Sequence, residues 1–399
     1  MKFGGSSVAT TDKIKHVADR VRAKVESGKK VVLVLSAMGK TTDGLISLAS
    51  EITDNPSSRE MDMLLSTGEQ VTIALFSMAA QEKGMSAISL TGGQVGILAS
   101  SVYGKGRIKD ISAGRLRTEM ETHDVVVVAG FQGTDEEENI VTLGRGGSDL
   151  SAVALAAALN ADVCEIYTDV SGVYTADPRV VPEASKINTI SFDEMLEMAS
   201  AGSRVMQSRS IEVAKKYDIN IHVRSTFSDE EGTIIKGEDE EMENVIIRGI
   251  AHDLKEAKVT IKNVPDLPGV SAKIFGPLAD NNINVDMIIQ NVSDNNTTDV
   301  TFTLPEADLP AAKEILEKLK SETGATDATY DSDIAKISVV GIGMRSHSGV
   351  AAKMFRILSE AGVNIRMIST SEIKISCVVA KNNAEKAIKA LHEGFELDK

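Results

Sequence analysis

The twenty residues Gly269–Ile288 (GVSAKIFGPLADNNINVDMI) return 80 positions later as Gly349–Ile368 (GVAAKMFRILSEAGVNIRMI), with nine identities. These include Gly269/Gly349, Lys273/Lys353, Phe275/Phe355, Asn284/Asn364 and Met287/Met367. A chain that repeats itself in this way builds one supersecondary unit twice. Each copy reads strand, loop, helix, strand, strand, helix. The first opens with the strand Lys258–Val264 and the second with Lys336–Gly341. The second copy ends soon after its last helix and is one strand short. Val245–Ile250 precedes the first copy without a partner, so it is expected to complete the second module's sheet and interweave the two.

Ahead of the repeat, strands and helices alternate. Val31–Leu35, Ala87–Leu90, Val125–Ala129, Cys164–Tyr167 and Ile221–Val223 are short aliphatic runs that read as strands, and Ile140–Leu143 as another. Helical spacing appears over Val8–Val25, Leu45–Ile52, Val71–Gln81, Leu150–Leu159, Phe192–Ala199 and Met206–Lys215. Such alternation implies an α/β domain: a doubly wound, mostly parallel sheet with helices on both faces. The acidic Ser228–Asn244 is the best linker, with Thr233–Lys236 as a possible last strand before it ends. The expected boundaries are 1–235 for the first domain, 236–257 for a linker and shared strand, and 258–332 and 333–399 for two βαββαβ modules.

The turns carry the chemistry. Thr142–Ala152 reads TLGRGGSDLSA, a glycine turn running straight into an apolar helix. Ser148 or Asp149 is expected to cap that helix. Backbone N–H groups and a helix N-terminus then meet at one spot, which favours an anion. Arg145 adds a rigid cationic fork for a carboxylate or phosphate. A plain hairpin turn reads equally well from these residues alone. Lys2–Ser7, Ser36–Asp43, Ser66–Glu69, Gly130–Gly133 and Thr168–Arg179 are further turns rich in Gly, Ser, Thr, Asp and Arg. In a parallel sheet, ligands sit beyond the carboxyl ends of the strands, where such turns meet.

A net charge of −15 with no basic stripe argues against nucleic acid. Cys164 and Cys377 are the only cysteines and lie among apolar residues, so no disulfide framework is present. The aliphatic runs are too short to span a bilayer. With no signal peptide at the start, the expectation is a cytoplasmic protein and no membrane partner. None of the six histidines pairs with another His, Cys or carboxylate at metal-site spacing, which argues against a zinc site and against a Ser-His or Cys-His nucleophile.

Lys2-Phe3-Gly4-Gly5-Ser6-Ser7-Val8, Gly144-Arg145-Gly146-Gly147-Ser148-Asp149 and Thr168-Asp169 through Tyr174 to Asp177-Pro178-Arg179 together resemble the aspartate kinases of the amino-acid kinase superfamily. The resemblance runs essentially end to end, and the tandem copies resemble ACT domains, which sense amino acids. It implies transfer of a phosphoryl group from ATP, with Mg2+, to L-aspartate, giving 4-phospho-L-aspartate for lysine, threonine and methionine biosynthesis. A carboxylate acceptor is already ionised at neutral pH, so no general base is required. The implied aspartate pocket is Ser36, Thr42, Glu69, Phe131, Arg145 and Ser148. Lys2, Asp149 and Arg145 are the implied catalytic groups. Lys2, Gly4, Gly5, Ser6, Thr168, Asp169, Tyr174, Asp177, Arg179 and Arg204 are the implied nucleotide ligands. Read without the resemblance, Glu69 is an acid favoured at a helix start, Asp149 an N-cap and Arg179 a solvated charge.

In the ACT copies the resemblance points to Asp266, Val270, Asn284, Asp286 and Gln290, and to Val350, Asn364, Ile365, Thr370 and Glu372, as ligands for inhibitory lysine, threonine or both. It also implies a homodimer through these domains, or an assembly with a regulatory chain started internally at Met242. Two features depart from the family. Only Met1 precedes Lys2, where relatives carry several apolar residues, which reads as a misassigned or clipped start. Arg204 stands where many relatives have lysine. Another superfamily kinase, or an amino-acid sensor without catalysis, are the competing readings.

Overall fold

The computed structural model describes residues 1–203, 205–239, 245–291 and 296–398. It divides into two compact units. The first is 1–174 with 186–200 and 204–242; the second is 175–185 with 201–203 and 243–399.

The first unit is built on an eight-stranded sheet. Its order is Thr189–Ser191, Thr233–Lys236, Ile221–Ser225, Cys164–Thr168, Lys2–Phe3, Val31–Leu35, Val125–Ala129, Ala87–Leu90. All neighbours are parallel except Ile221–Ser225 against Thr233–Lys236. The central strands are continuous aliphatic runs because both faces are covered. Leu33, Leu35, Val125 and Val127 pack on Val17, Val21 and Phe76 of helices Thr11–Glu26 and Thr67–Glu82. The helix Gly147–Leu159 is buried along most of its length. Ser58–Glu82 is the one stretch among the described residues long and apolar enough to cross a bilayer. Its break at Ser66 and its buried Asp62 and Glu69 belong to a helix packed in a protein core.

Helices Ser58–Leu65 and Gly114–Thr122 and the strand Thr189–Ser191 went unread in the sequence, as did a second sheet apart from its strand Ile140–Thr142. That sheet orders Ile108–Ile111, Ile97–Ala99, Gln132–Thr134 and Ile140–Thr142. Its strands are three or four residues long, too short to show periodicity.

A cavity of about 410 Å³ beside Met1, lined by Val32, Leu155, Leu159 and Glu165, lies at the starts of the central strands. The glycine turns lie at the opposite ends of those strands.

The second unit holds two four-stranded sheets. The first copy forms Asp286–Gln290, Thr297–Pro305, Glu256–Pro265, Asp327–Asp331. The second forms Gly249–Asp253, Ile334–Val340, Lys374–Ala380, Met367–Thr370. Gly249–Asp253 runs antiparallel to Ile334–Val340, so residues preceding the first copy supply an edge strand of the second sheet. Each sheet packs its own helices, Val270–Asp280 and Leu309–Thr323 on one, Val350–Glu360 and Ala384–Gly394 on the other. Ala176 and Val181 join the second of these cores.

Candidate active site

The central strands release their turns at one edge of the sheet, and those turns are hydrogen-bonded to one another. Lys2 pairs in register with Val34 and Ile166. Just beyond, Gly4 N donates to Tyr167 O at 3.3 Å, Ser36 N to Phe3 O at 3.2 Å, and Gly130 N to Leu35 O at 3.0 Å. Gly39 N donates to Gly5 O at 3.0 Å. Gly5 is sterically required, since a Cβ there would lie 2.8 Å from the Ala37 carbonyl oxygen.

The GRGGSD turn closes over the same edge. Gly144 and Gly146 take φ of 77° and 73°, a left-handed conformation that costs glycine little. The helix begins at Gly147 with Gly146 as N-cap and no side-chain cap. Ser148 and Asp149 therefore lie inside the first turn, not at the cap as the sequence suggested. A helix capped at Gly146 can turn Asp149 inward, where its Oδ1 lies 2.6 Å from Lys2 Nζ. Both side chains are almost fully buried. No donor is aligned on that Asp149 oxygen, so the contact is an ion pair, not a directed hydrogen bond. Ser148 is buried, and a Cβ on Gly130 would come within 2.7 Å of its Oγ. Arg145 is exposed on the turn, and among the described residues it has no salt-bridge partner.

Glu69 reaches the edge from the helix Thr67–Glu82. It is 3% exposed, and its Oε1 accepts from Ala37 N at 3.1 Å. Its Oε2 is buried and has no partner among the described residues. Burial pushes its carboxyl up to about 7, although the Ala37 N–H opposes this. An orphaned buried carboxylate oxygen is costly unless something supplies a donor. An ammonium would do so. Phe131 sits at φ 70°, a strained value for a bulky residue. It is held there by Ser151 Oγ on its N–H at 3.2 Å and by Leu143 N on its carbonyl at 2.8 Å.

The structure thus brings together Lys2, Gly4, Gly5, Ser36, Glu69, Phe131, Ser148 and Asp149. Thr42 is half-buried in the first turn of the helix Thr41–Ile52, which follows the Ser36–Lys40 turn. Ser6 is exposed in the short helical turn Gly5–Val8, its carbonyl accepting from Lys13 Nζ. Thr168 ends the strand beside Lys2, and its Oγ1 donates to Asp169 at 3.1 Å. Tyr174 bridges to Lys186. Asp177 and Arg179 fold into the second unit, where Arg179 grips Asp177 with Nε at 3.0 Å and Nη2 at 2.7 Å. Arg204 and Met242 lie outside the described residues.

In the second unit, Asp286 binds Lys336 Nζ at 2.8 Å, and Gln290 accepts from Ser271 at 3.1 Å. Asp266, Asn284, Asn364 and Thr370 are exposed, and Val270 and Val350 open the matching helices. Ile365 packs on the second core. Glu372 lies 3.6 Å from Arg345. Sequence reading missed Asp62, Gln132 and Arg209, buried or half-buried polar groups that anchor the turns. Among the described residues no group of three His, Cys, Asp or Glu could hold a metal ion.

A parallel sheet whose glycine turns meet over a lysine–aspartate pair, followed by two ACT-like sheets, defines a class. The amino acid kinase family matches residues 1–225, and ACT domains match 259–321 and 337–395. An aspartokinase of Pseudomonas aeruginosa is 53% identical over 399 residues, covering 100% of this chain and 97% of that protein. Escherichia coli aspartokinase III in complex with aspartate and ADP (R-state) superposes with a TM-score of 0.84 at 26% identity, covering 98% of each chain. The same enzyme in complex with lysine and aspartate (T-state) gives 0.78, also at 26% identity, covering 99% of this chain and 98% of that one. The chain belongs to the aspartokinase family.

Proposed function

We infer that the chain transfers the γ-phosphoryl group of ATP to the side-chain carboxylate of L-aspartate. The carboxylate oxygen attacks the γ-phosphorus, the bond from that phosphorus to the β–γ bridging oxygen breaks, and ADP leaves with the electron pair. No proton moves, which suits a site without a histidine base. Catalysis then rests on alignment and on neutralising charge. Lys2 supplies the buried positive charge, held toward the phosphates by Asp149. Gly4, Gly5 and Ser6 would cradle phosphate oxygens, with Thr168, Asp169, Tyr174, Asp177, Arg179 and Arg204 on the nucleotide. Mg2+ would ride on the phosphates and shield their charge.

One observation carries the substrate assignment: the lone buried Oε2 of Glu69 in the same turn cluster as Lys2. It suits the aspartate ammonium, while the free guanidinium of Arg145 suits the α-carboxylate. Ser36, Thr42, Phe131 and Ser148 would shape the remainder. The test traps the acyl phosphate with hydroxylamine in the presence of ATP and candidate acids. Hydroxamate from L-aspartate supports the reading; ATP turnover with glutamate or uridylate instead of aspartate overturns it.

The second unit reads as the regulatory part, with domains at 1–235, 258–332 and 333–399 and a shared segment between. Lysine or threonine bound there would act by favouring one of two states. Kinase activity indifferent to both amino acids at millimolar levels would remove that role. A cytoplasmic oligomer formed through the ACT copies is the expected assembly, and light scattering reads it.

A further inference from the structure

Asp62 is not among the residues assigned to aspartate or ATP, yet it is 1% exposed and fully engaged. It sits on the helix Ser58–Leu65, seven residues before Glu69. Its carboxylate takes three donors from two other segments. Gly104 N reaches both oxygens, at 3.0 and 2.9 Å. Thr142 N reaches Oδ2 at 2.8 Å, and Thr142 Oγ1 reaches Oδ1 at 2.7 Å.

Thr142 is two residues before Gly144, where the GRGGSD turn starts. The Gly104 loop backs that turn: Gly106 N donates to Thr142 O at 2.9 Å, and the Gly104 carbonyl lies 3.1 Å from where a Gly144 Cβ would sit. Arg209 closes the loop from the other side, donating to Leu143 O at 2.8 Å and Gly106 O at 2.9 Å. A second tie runs from Gln132 Nε2 to Ser66 O at 2.9 Å, just ahead of Glu69.

We propose that Asp62 is a positioning residue for aspartate binding: it fixes the distance between the helix bearing Glu69 and the turn bearing Arg145. These two groups would grip the ammonium and the α-carboxylate of one small molecule, so a shift of either loosens both contacts. The inference rests on the aspartate reading given above. Hydrogen bonds to a buried charge are strong, and deleting the carboxylate strands three donors.

Asparagine is the conservative variant here. With its carbonyl in the Oδ2 place it still accepts from both backbone N–H groups, and its amide can donate to the Thr142 hydroxyl. The experiment measures KM for aspartate and for ATP in the full chain. Asp62→Ala should raise the aspartate KM by about tenfold or more and leave the ATP KM within about twofold. Asp62→Asn should recover most of the loss. Thr142→Val, which removes one donor, should raise the aspartate KM by about threefold and serves if Asp62→Ala does not fold. Equal rises in both KM values, or a loss of active enzyme at unchanged aspartate KM, overturns the proposal. So does a Thr142→Val enzyme with an unchanged aspartate KM. A wild-type chain that makes no hydroxamate from aspartate rejects the underlying reading instead, whatever the variants do.

Discussion

Two buried glutamates, one in each unit, show opposite solutions to the same problem. Glu69 and Glu256 are 3% and 6% exposed, and each has a buried Oε2 with no partner among the described residues. Burial pushes both carboxyls up. Glu256, however, has its own cation. Lys336 Nζ sits 2.8 Å from its Oε1 and 2.8 Å from Asp286 Oδ2, joining the sheets of the two copies. Burial alone would lower the Lys336 ammonium, but the two carboxylates outweigh it and raise it. Burial would likewise raise Asp286, yet Lys336 holds that carboxyl low. The two partners of Lys336 thus shift in opposite directions. Asp286, with its side chain half exposed, is the firmer ionic partner, while Lys336 only partly offsets the deeper burial of Glu256. Glu69 accepts from backbone N–H groups, Ala37 foremost, and among the described residues no cation shifts its carboxyl. The difference lies in the other oxygen: Glu256 Oε1 meets a cation from within the chain, whereas Glu69 Oε1 meets only a backbone N–H, and the proposed ligand ammonium would supply the missing charge.

The largest effect should come from removing the internal cation. Lys336→Met leaves Glu256 buried without a counter-charge and should cost about 3 kcal/mol, read by urea unfolding followed in the second unit. The double variant Lys336→Met/Glu256→Gln should recover roughly half of that loss. A near-neutral single variant would mean that Glu256 is already protonated in the fold, and the contrast with Glu69 would disappear.

Glu69→Gln comes next. Losing an ionic contact to the substrate ammonium should lower kcat/KM for aspartate by about a hundredfold while the ATP KM holds. The wild type should show the same dependence through pH. An ammonium is gripped by the ionised carboxyl, so aspartate affinity should fall about tenfold for each unit of pH below about 7. An affinity flat from pH 7.5 down to 5.5 would show that Glu69 does not hold the ammonium.

How much of this was legible beforehand follows from element length. The aliphatic central strands and the GRGGSD helix announce themselves, and the repeat gave both modules along with the search for a missing strand. Of the small sheet only Ile140–Thr142 showed, because Ile97–Ala99, Ile108–Ile111 and Gln132–Thr134 are three or four residues each. Asp62 left a faint trace. Counting back from Ala80, Phe76 and Ile73 in helical steps meets Glu69, Ser66 and Asp62, all on the buried stripe. A carboxylate on a core stripe is a signal that its partners come from elsewhere in the chain. Which partners they are depends on Gly104 and Thr142, far away in sequence, so no local pattern could supply them. The N-cap was misread for a related reason: Ser148 and Asp149 have the chemistry of caps, but Gly146 in a left-handed conformation starts the helix earlier and frees Asp149 for Lys2.

The smallest effect concerns the ligand-free protein, and its sign separates the two glutamates. Glu69 has a folded value of about 7 against an ordinary 4.5. The unfolded chain therefore gives up this proton first as pH rises. Any stability the protonated group contributes is intact below 4.5 and is lost as pH climbs through about 7. Above that, burying the ionised form is a net cost. Glu69→Gln, which cannot ionise, should therefore raise the stability of the ligand-free chain at pH 8 by about 1–2 kcal/mol and change it little at pH 5. Saturating aspartate should reverse the order at pH 8, because only the wild type gains from binding. Glu256→Gln, by contrast, removes a partner of Lys336 and should destabilise at pH 8. Thermal melts of both variants at the two pH values decide it: if Glu69→Gln also destabilises at pH 8 without ligand, then Glu69 already has an internal partner and belongs with Glu256.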